Sequence, residues 1–337
     1  MDTEKSNSIR AAWLAYVGGY TQEQIAERLG ISRVKVQRLI ASATQCGLVK
    51  FFVEGVPAEC IALENELIAR FALKRCVVVP NIDDPEADDA DGQGGSIAAL
   101  GVAAARYLSR QLDSTEVRCI GIGHGRTLAA MVERLPITNR PGVRFVSLLG
   151  SLTRRSAANP YDVIAKLAER TGGECYFLPV PFIADSGQAA DVLRAQRGVQ
   201  HVMSMFQDCE LCVVGIGDLG PQTQLVGRRS VTDAELRTLI KVGAVGEIAG
   251  RFVAADGSAV QSEMNERAVG VSLDDLRGRD VLAVAGGKYK AEAIRAVLKS
   301  GVVTALIVDE ATAHAVLEPT TGLEPECISP TKETIDV

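Results

Sequence analysis

From about residue 96 to residue 310 the chain alternates between two kinds of segment. Short runs that are apolar almost throughout read as strands buried on both faces: "VRCIGIG" (117–123), "VRFVSLLG" (143–150), "LCVVGIG" (211–217), "DVLAVAGG" (280–287) and "VVTALIVDE" (302–310). Between some of them stand segments with helical spacing, namely "TLAAMVERL" (127–135), "YDVIAKLAERTG" (161–172) and "QAADVLRAQRGVQHVMSMF" (188–206). "ECYFLPVPFIAD" (174–185) reads as a further strand, and Asn159 followed by Pro160 marks a helix start. This alternation predicts an α/β fold with a mostly parallel, Rossmann-like sheet and helices on both faces.

The first fifty residues follow another pattern. In "TQEQIAERLG" (21–30) Thr21 and Gln24 have the spacing of a capping box, Ile25, Ala26 and Leu29 form an apolar side, and Gly30 supplies a turn. Ser32 then caps a second helix to about residue 45, with Val36, Leu39, Ile40 and Ala43 on one face. Ser32, Arg33, Val34, Lys35, Gln37 and Arg38 fall elsewhere on it or at its start. Two short helices around a glycine turn predict a helix-turn-helix. "GLVKFFVEG" (47–55) reads as a wing or strand pair beside it. "VPAECIALENELIARFAL" (56–73) reads as a connecting helix with Ile61, Leu67, Ile68 and Phe71 available for packing, either in a dimer contact or against its own domain. "RCVVVP" (75–80) is a strand, and "NIDDPEADDADGQGG" (81–95) an acidic surface loop. The predicted division is a DNA-binding domain over 1–56 and a larger α/β domain over 57–337.

Charge sharpens the first of these. The 337 residues carry 36 Lys and Arg against 42 Asp and Glu, a net −6. Residues 1–50 hold seven basic and four acidic side chains, a net +3, which leaves 29 against 38, or −9, for the rest. Residues 31–50 have four basic residues and no acidic one. Carboxylates on that stretch would repel phosphates, so the basic end on an acidic body points to operator DNA. Arg and Gln suit purine edges, Val34 a thymine methyl, and Lys a phosphate.

Composition narrows the remaining classes. Hydrophobic residues are 47% and aromatics 4%, a mix suited to small-residue helices on Val/Ile-rich strands. No apolar run is long enough to span a bilayer and "MDTEKSNSIR" lacks a signal-peptide core, which predicts a cytoplasmic protein with no membrane partner. The eight cysteines are scattered. Cys209 and Cys212 form a C-x-x-C without a second pair, and read as two thiols at the start of a strand, not as a site of metal or redox chemistry.

Ligands of such sheets bind at the carboxyl ends of the strands. Those ends are glycine-rich here: "GIGHGRT" (121–127), "LLGS" (148–151), "GIGD" (215–218), "AVGE" (244–247) and "AGGKYK" (285–290). Gly123 and Gly125 permit close approach, Thr127 opens a helix, and Arg126 offers charge to an anion at its N-terminus. Arg126 stands where a dinucleotide fingerprint needs its third glycine, and no Walker motif is present, so no nucleotide cofactor is expected. His124, Asp218 and Glu247 are candidates for hydroxyl contacts or acid/base work, and Lys290 for a phosphate; loop capping and solvation are the plain alternatives.

Seven segments together resemble the SorC family of sugar-responsive bacterial transcription regulators: "GYTQEQIAERLGISRVKVQRLI", "GIGHGRTL", "NPYDVIAKLAERTGG", "YFLPVPFIADS", "VGEIAGRFVAADG", "GVSLDDLRG" and "VLAVAGGKYKAEAIRAVLKSG". The resemblance implies an effector domain similar to sugar-phosphate isomerases and deaminases with catalysis lost. It also implies a homo-oligomer, a tetramer, on operator DNA, and a sugar, polyol or phosphosugar effector. By matching motif the effector contacts are Gly123, His124, Gly125, Arg126, Thr127, Gly150, Ser151, Asp218, Glu247 and Lys290, with no catalytic residue and no metal. "GHGRT" is less rich in Ser and Thr than the family's phosphate loops, and Lys288 adds a second basic residue beside Lys290. The members it most resembles are linked to polyol catabolism. The expectation is a repressor of a carbohydrate or polyol operon; the alternative is a sugar-phosphate isomerase or deaminase fused to a DNA-binding module.

Overall fold

A computed structural model describes residues 3–46, 48–49, 57–81, 94–114, 116–150, 163–220, 223 and 231–318. The wing segment 47–55, the acidic loop, Ser151 and the Asn159–Pro160 helix start lie wholly or mainly outside the described residues.

Three helices begin the chain: α1 (Thr3–Ala12), α2 (Gln22–Leu29) and α3 (Arg33–Gln45). The capping box at the start of α2 forms as its spacing predicts, with Gln24 N–H donating to Thr21 Oγ1 and Thr21 N–H to Gln24 Oε1. Gly30 ends α2 at φ 64°, a left-handed conformation that costs glycine little. Ser32 Oγ then accepts Lys35 N–H at the start of α3. Ile25, Val36, Leu39 and Ala43 are buried. Helix α1 was not legible as an element; it packs on α3 and buries Ser8, Ala11 and Ala12, small residues with a weak hydrophobic signal.

Helix α4 (Ala58–Phe71) leads into the sheet, and α5 (Gly94–Asp113) follows its first strand. Helix α4 buries Cys60, Leu63 and Leu67, with Ile68 and Phe71 packed at the margin. Ile61, expected to pack, is 46% exposed, because the face of α4 that meets the core runs through 60, 63 and 67.

The strands are β1 (Arg75–Val79), β2 (Cys119–Ile122), β3 (Arg144–Ser147), β4 (Glu174–Tyr176), β5 (Leu211–Asp218), β6 (Ala244–Ile248), β7 (Arg251–Ala254), β8 (Asp280–Val284) and β9 (Ala305–Asp309). Seven form a parallel array in the order β1-β9-β8-β5-β2-β3-β4. Neighbouring residues of one strand go to opposite faces: Val213, Leu282 and Ile307 join one core cluster, while Cys212, Val214, Val281, Ala283, Leu306 and Val308 join the other. Both faces are therefore apolar, which is why these strands read as continuous hydrophobic runs.

Two predicted segments are broken. "ECYFLPVPFIAD" is a strand only over β4, because Pro179 and Pro181 have no N–H to give to a ladder; an isolated bridge joins Ile183 to Ala268 beyond them. The single helix expected over 188–206 is two, Gly187–Arg194 and Arg197–Phe206, separated where Gln196 is extended (ψ 135°).

Candidate functional site

The strand order fixes where a ligand crevice opens. From β2 the chain runs outward through β3 and β4, then returns to place β5 on the other side of β2, with β8 and β9 beyond it and β1, which precedes β2 in sequence, paired to β9 at the edge. The reversal lies between β2 and β5, and the carboxyl ends of strands flanking such a switch point form a crevice. Those two ends carry Gly123–Thr127 and Asp218.

After β2, Gly123 N–H donates to Val213 O of β5 at 2.9 Å, which holds the loop against the neighbouring strand. Gly125 has φ 144°, a conformation that favours glycine, and stands at the N-terminus of α6 (Arg126–Arg134) with no side-chain cap. First-turn N–H groups and the positive end of α6 are thereby directed to the crevice. Thr127 does not face outward: its hydroxyl donates to Val284 O at the end of β8, 3.1 Å away, and so ties the loop to a third strand. Gly215 makes the approach possible, since a Cβ there would lie 3.3 Å from His124 O and 3.9 Å from Thr127 Oγ1.

Asp218 ends β5 and is 6% exposed. Its Oδ2 accepts Gly220 N–H at 3.1 Å. Burial raises the carboxyl above its ordinary range, while the charge of Lys290, two backbone hydrogen bonds and, more weakly, Arg126 pull it back down. One acid and two cations thus share a field at this crevice. Lys290, in a short 3₁₀ turn before the helix Ala291–Lys299, donates from Nζ to Ile216 O at 3.1 Å.

Glu247 reaches the site by a route the sequence did not suggest. "AVGE" does not end a parallel strand: β6 pairs antiparallel with the outer half of β5 and with β7, placing Glu247 opposite Gly217. A Cβ on Gly217 would stand 2.6 Å from Glu247 Oε2, so the carboxylate lies over the bare glycine next to Asp218. Its Oε1 accepts Gly250 N–H. The pairing of β6 with β5 joins positions thirty residues apart, and a short apolar run does not reveal it.

Gly150 has a packing reason for being glycine. A Cβ there would fall 2.4 Å from Val180 O and 2.7 Å from Pro181 O, where the proline-interrupted segment crosses. Ser151 is outside the described residues.

The sequence reading missed Asp309, the last residue of β9 and 3% exposed. Its Oδ2 accepts Ser96 Oγ at 2.9 Å, Gly287 N–H at 3.1 Å and Thr312 Oγ1 at 2.8 Å, and its Oδ1 accepts Thr312 N–H at 2.9 Å. One buried carboxylate thereby joins β9, the helix Gly94–Asp113, the Gly286–Gly287 turn and the helix Glu310–Leu317. An Asp closing an apolar run, with Thr three residues on, was the available sign of a strand end turning into a capped helix. Among the described residues no cluster of three or more His, Cys, Asp or Glu is arranged to hold a metal ion. No helix among them is long and apolar enough to cross a membrane.

On α3, Ser32, Arg33, Val34, Lys35, Gln37 and Arg38 are all exposed, Val34 at 59%. An Arg33 nitrogen lies 3.5 Å from Glu23 of α2, an exposed pair of small energetic weight. Arg28 stacks on Tyr20, its guanidinium 4.1 Å from the ring centre.

Residues 56–318 match the sugar-binding-domain family Sugar-bind. The chain is 42% identical over 321 residues to the erythritol catabolism regulatory protein EryD of Brucella abortus, covering 95% of this chain and 99% of that protein. It is 32% identical over 313 residues to the transcriptional regulator LsrR of Klebsiella pneumoniae, covering 91% of each. The full-length sorbitol operon regulator SorC of Klebsiella pneumoniae shares the fold at a TM-score of 0.67 and 23% identity, over 93% of this chain and 99% of that one. These relatives are named as regulators, not enzymes. With a family match over most of its length and these full-length relatives, the chain belongs to the SorC family of sugar-binding transcriptional regulators.

Proposed function

We propose that this protein is a repressor of a carbohydrate or polyol catabolic operon. Helices α2 and α3 form a helix-turn-helix within a DNA-binding domain over residues 1–56. Residues 57–337 form an effector and oligomerisation domain, related in fold to sugar-phosphate isomerases and deaminases, that assembles as a homotetramer. The effector, a sugar, polyol or phosphosugar, seats in the crevice between the ends of β2 and β5. Arg126 and the α6 N-terminus meet its anionic or oxygen-rich end, Asp218 and Glu247 accept its hydroxyl hydrogens, and Lys290 orients Asp218.

The observation that carries the reading is the division of α3. Its apolar face is spent on α1 and α2, while six residues suited to phosphates and base edges face away and no carboxylate belongs to the helix. The similarity to an erythritol catabolism regulator favours a short polyol as the effector. Thermal-shift titration of the full chain against sugars, polyols and their phosphates tests this directly, since a ligand specific to the folded state raises its apparent stability by about 2.7 kcal/mol at a hundred times Kd. A stabilising polyol is expected, and a complete absence of stabilisers across all three classes would contradict the effector assignment.

A further inference from the structure

Cys119 opens β2, and Cys209 lies just before β5, the strand paired beside it with Ile120 opposite Leu211. The two sulfurs are 3.3 Å apart, and both residues are buried, Cys119 at 0% and Cys209 at 5% exposure. A disulfide needs sulfurs about 2.0 Å apart and Cβ atoms about 3.8 Å apart, so a shift of little more than about 1 Å would close the pair. The backbones that carry them are pinned. Glu210 Oε2 accepts Cys119 N–H at 2.7 Å, Cys209 N–H donates to Phe206 O at 3.0 Å, and Arg279 donates to Cys209 O at 3.4 Å. Cys212, the other half of the C-x-x-C, points elsewhere: its sulfur packs against Gly121, where a Cβ would be 3.0 Å away.

We infer that Cys119 and Cys209 are an oxidative modification site, converted by a hydroperoxide into an intramolecular disulfide. The Cys119 thiolate attacks one peroxide oxygen; the O–O bond breaks, and the departing hydroxide takes up the Cys119 proton as water, leaving a sulfenic acid. The Cys209 sulfur then attacks the Cys119 sulfur, an S–S bond replaces the S–O bond, and a second water leaves with the Cys209 proton. Two thiols are oxidised and one peroxide is reduced to two waters. The roles follow from the surroundings. The hydrogen bond from Cys209 favours the thiolate at Cys119, against burial and assisted by the Arg144 guanidinium, whereas that same bond and burial keep Cys209 a thiol. Hydrogen peroxide is small and uncharged enough to reach the pair through local opening, which a bulky disulfide oxidant is not.

The consequence lies at the far end of the same strands. A bond between residues separated by 90 positions would fasten the starts of β2 and β5, whose other ends carry Gly123–Thr127 and Asp218.

Treating the full chain with hydrogen peroxide, blocking free thiols under unfolding conditions and mapping unreduced peptides by mass spectrometry tests the site. The expected product is a peptide pair joining Cys119 to Cys209, lighter by two hydrogens and lost on reduction, with Cys76 and Cys212 recovered as blocked thiols. Recovery of both Cys119 and Cys209 as free thiols while the exposed Cys46 is oxidised would overturn the inference, as would a bond from Cys209 to Cys212. In Cys209→Ser, which removes the resolving thiol, a sulfenic-acid trap should label Cys119; labelling absent from a folded variant also counts against it. If that variant does not fold, the peptide map of the unsubstituted chain decides.

Discussion

Asp218 is a carboxyl whose protonation the fold and the proposed effector would pull in opposite directions. Burial favours the neutral form, so its folded pKa is raised. In the ligand-free protein the group therefore subtracts stability as pH rises from the ordinary carboxylate range through that raised value, and subtracts no more beyond it. A polyol hydroxyl donates more strongly to the ionised carboxylate than to the neutral acid. Binding of a neutral polyol should accordingly weaken as pH falls through the raised Asp218 pKa, with proton release on binding measurable by calorimetry in buffers of different ionisation heat. Asp218→Asn should flatten that dependence; an unchanged pH profile in the variant would remove Asp218 from the site. Arg126 poses a second question at this scale. Replacing it with Ala should leave operator affinity intact and weaken a phosphate ester by roughly 1.5–3 kcal/mol, about ten- to more than a hundredfold, because a charge-assisted contact is lost. A neutral polyol should lose less. Isothermal titration of both ligands to one variant separates the two effector classes.

At the scale of elements, α3 carries the claim about DNA. Its start is fixed by Ser32 and its inward face by Val36, Leu39 and Ala43, so substitutions on the outward face should change binding without unfolding the helix. Arg38→Ala or Gln37→Ala should each cost about 1–3 kcal/mol of operator affinity if each reads a base, and affinity should fall steeply with added salt. Fluorescence anisotropy on labelled operator measures both, and full affinity in a double Arg33/Arg38 variant would contradict the choice of helix. The elements also show what local pattern conveys. Helices α2 and α3 were legible because capping and spacing are encoded within a dozen residues, and the parallel strands because burial on two faces leaves an unbroken apolar run. The β5–β6 pairing that delivers Glu247, the Asp309 junction and the packing role of Gly150 were not. Each depends on a partner far along the chain, Gly217, Ser96 and Val180 in turn. Prolines were visible in 174–185, but their effect on the strand outweighed the apolar pattern that suggested it.

The whole molecule joins a basic, acid-free helix to a sheet whose polar crevice is built from several strand ends. A regulator needs the two to be energetically linked, and a ligand shifts such an equilibrium only by its difference in affinity for the two states. The measurement that tests this most directly is operator affinity of the full chain with and without the stabilising effector, using DNA selected by the protein from a random pool. Saturating effector is predicted to weaken operator binding by about five- to 150-fold, the range of coupling free energies of about 1–3 kcal/mol. Arg126→Ala should bind the same operator and lose most of that response. Operator affinity unchanged by an effector that demonstrably occupies the protein would contradict the account.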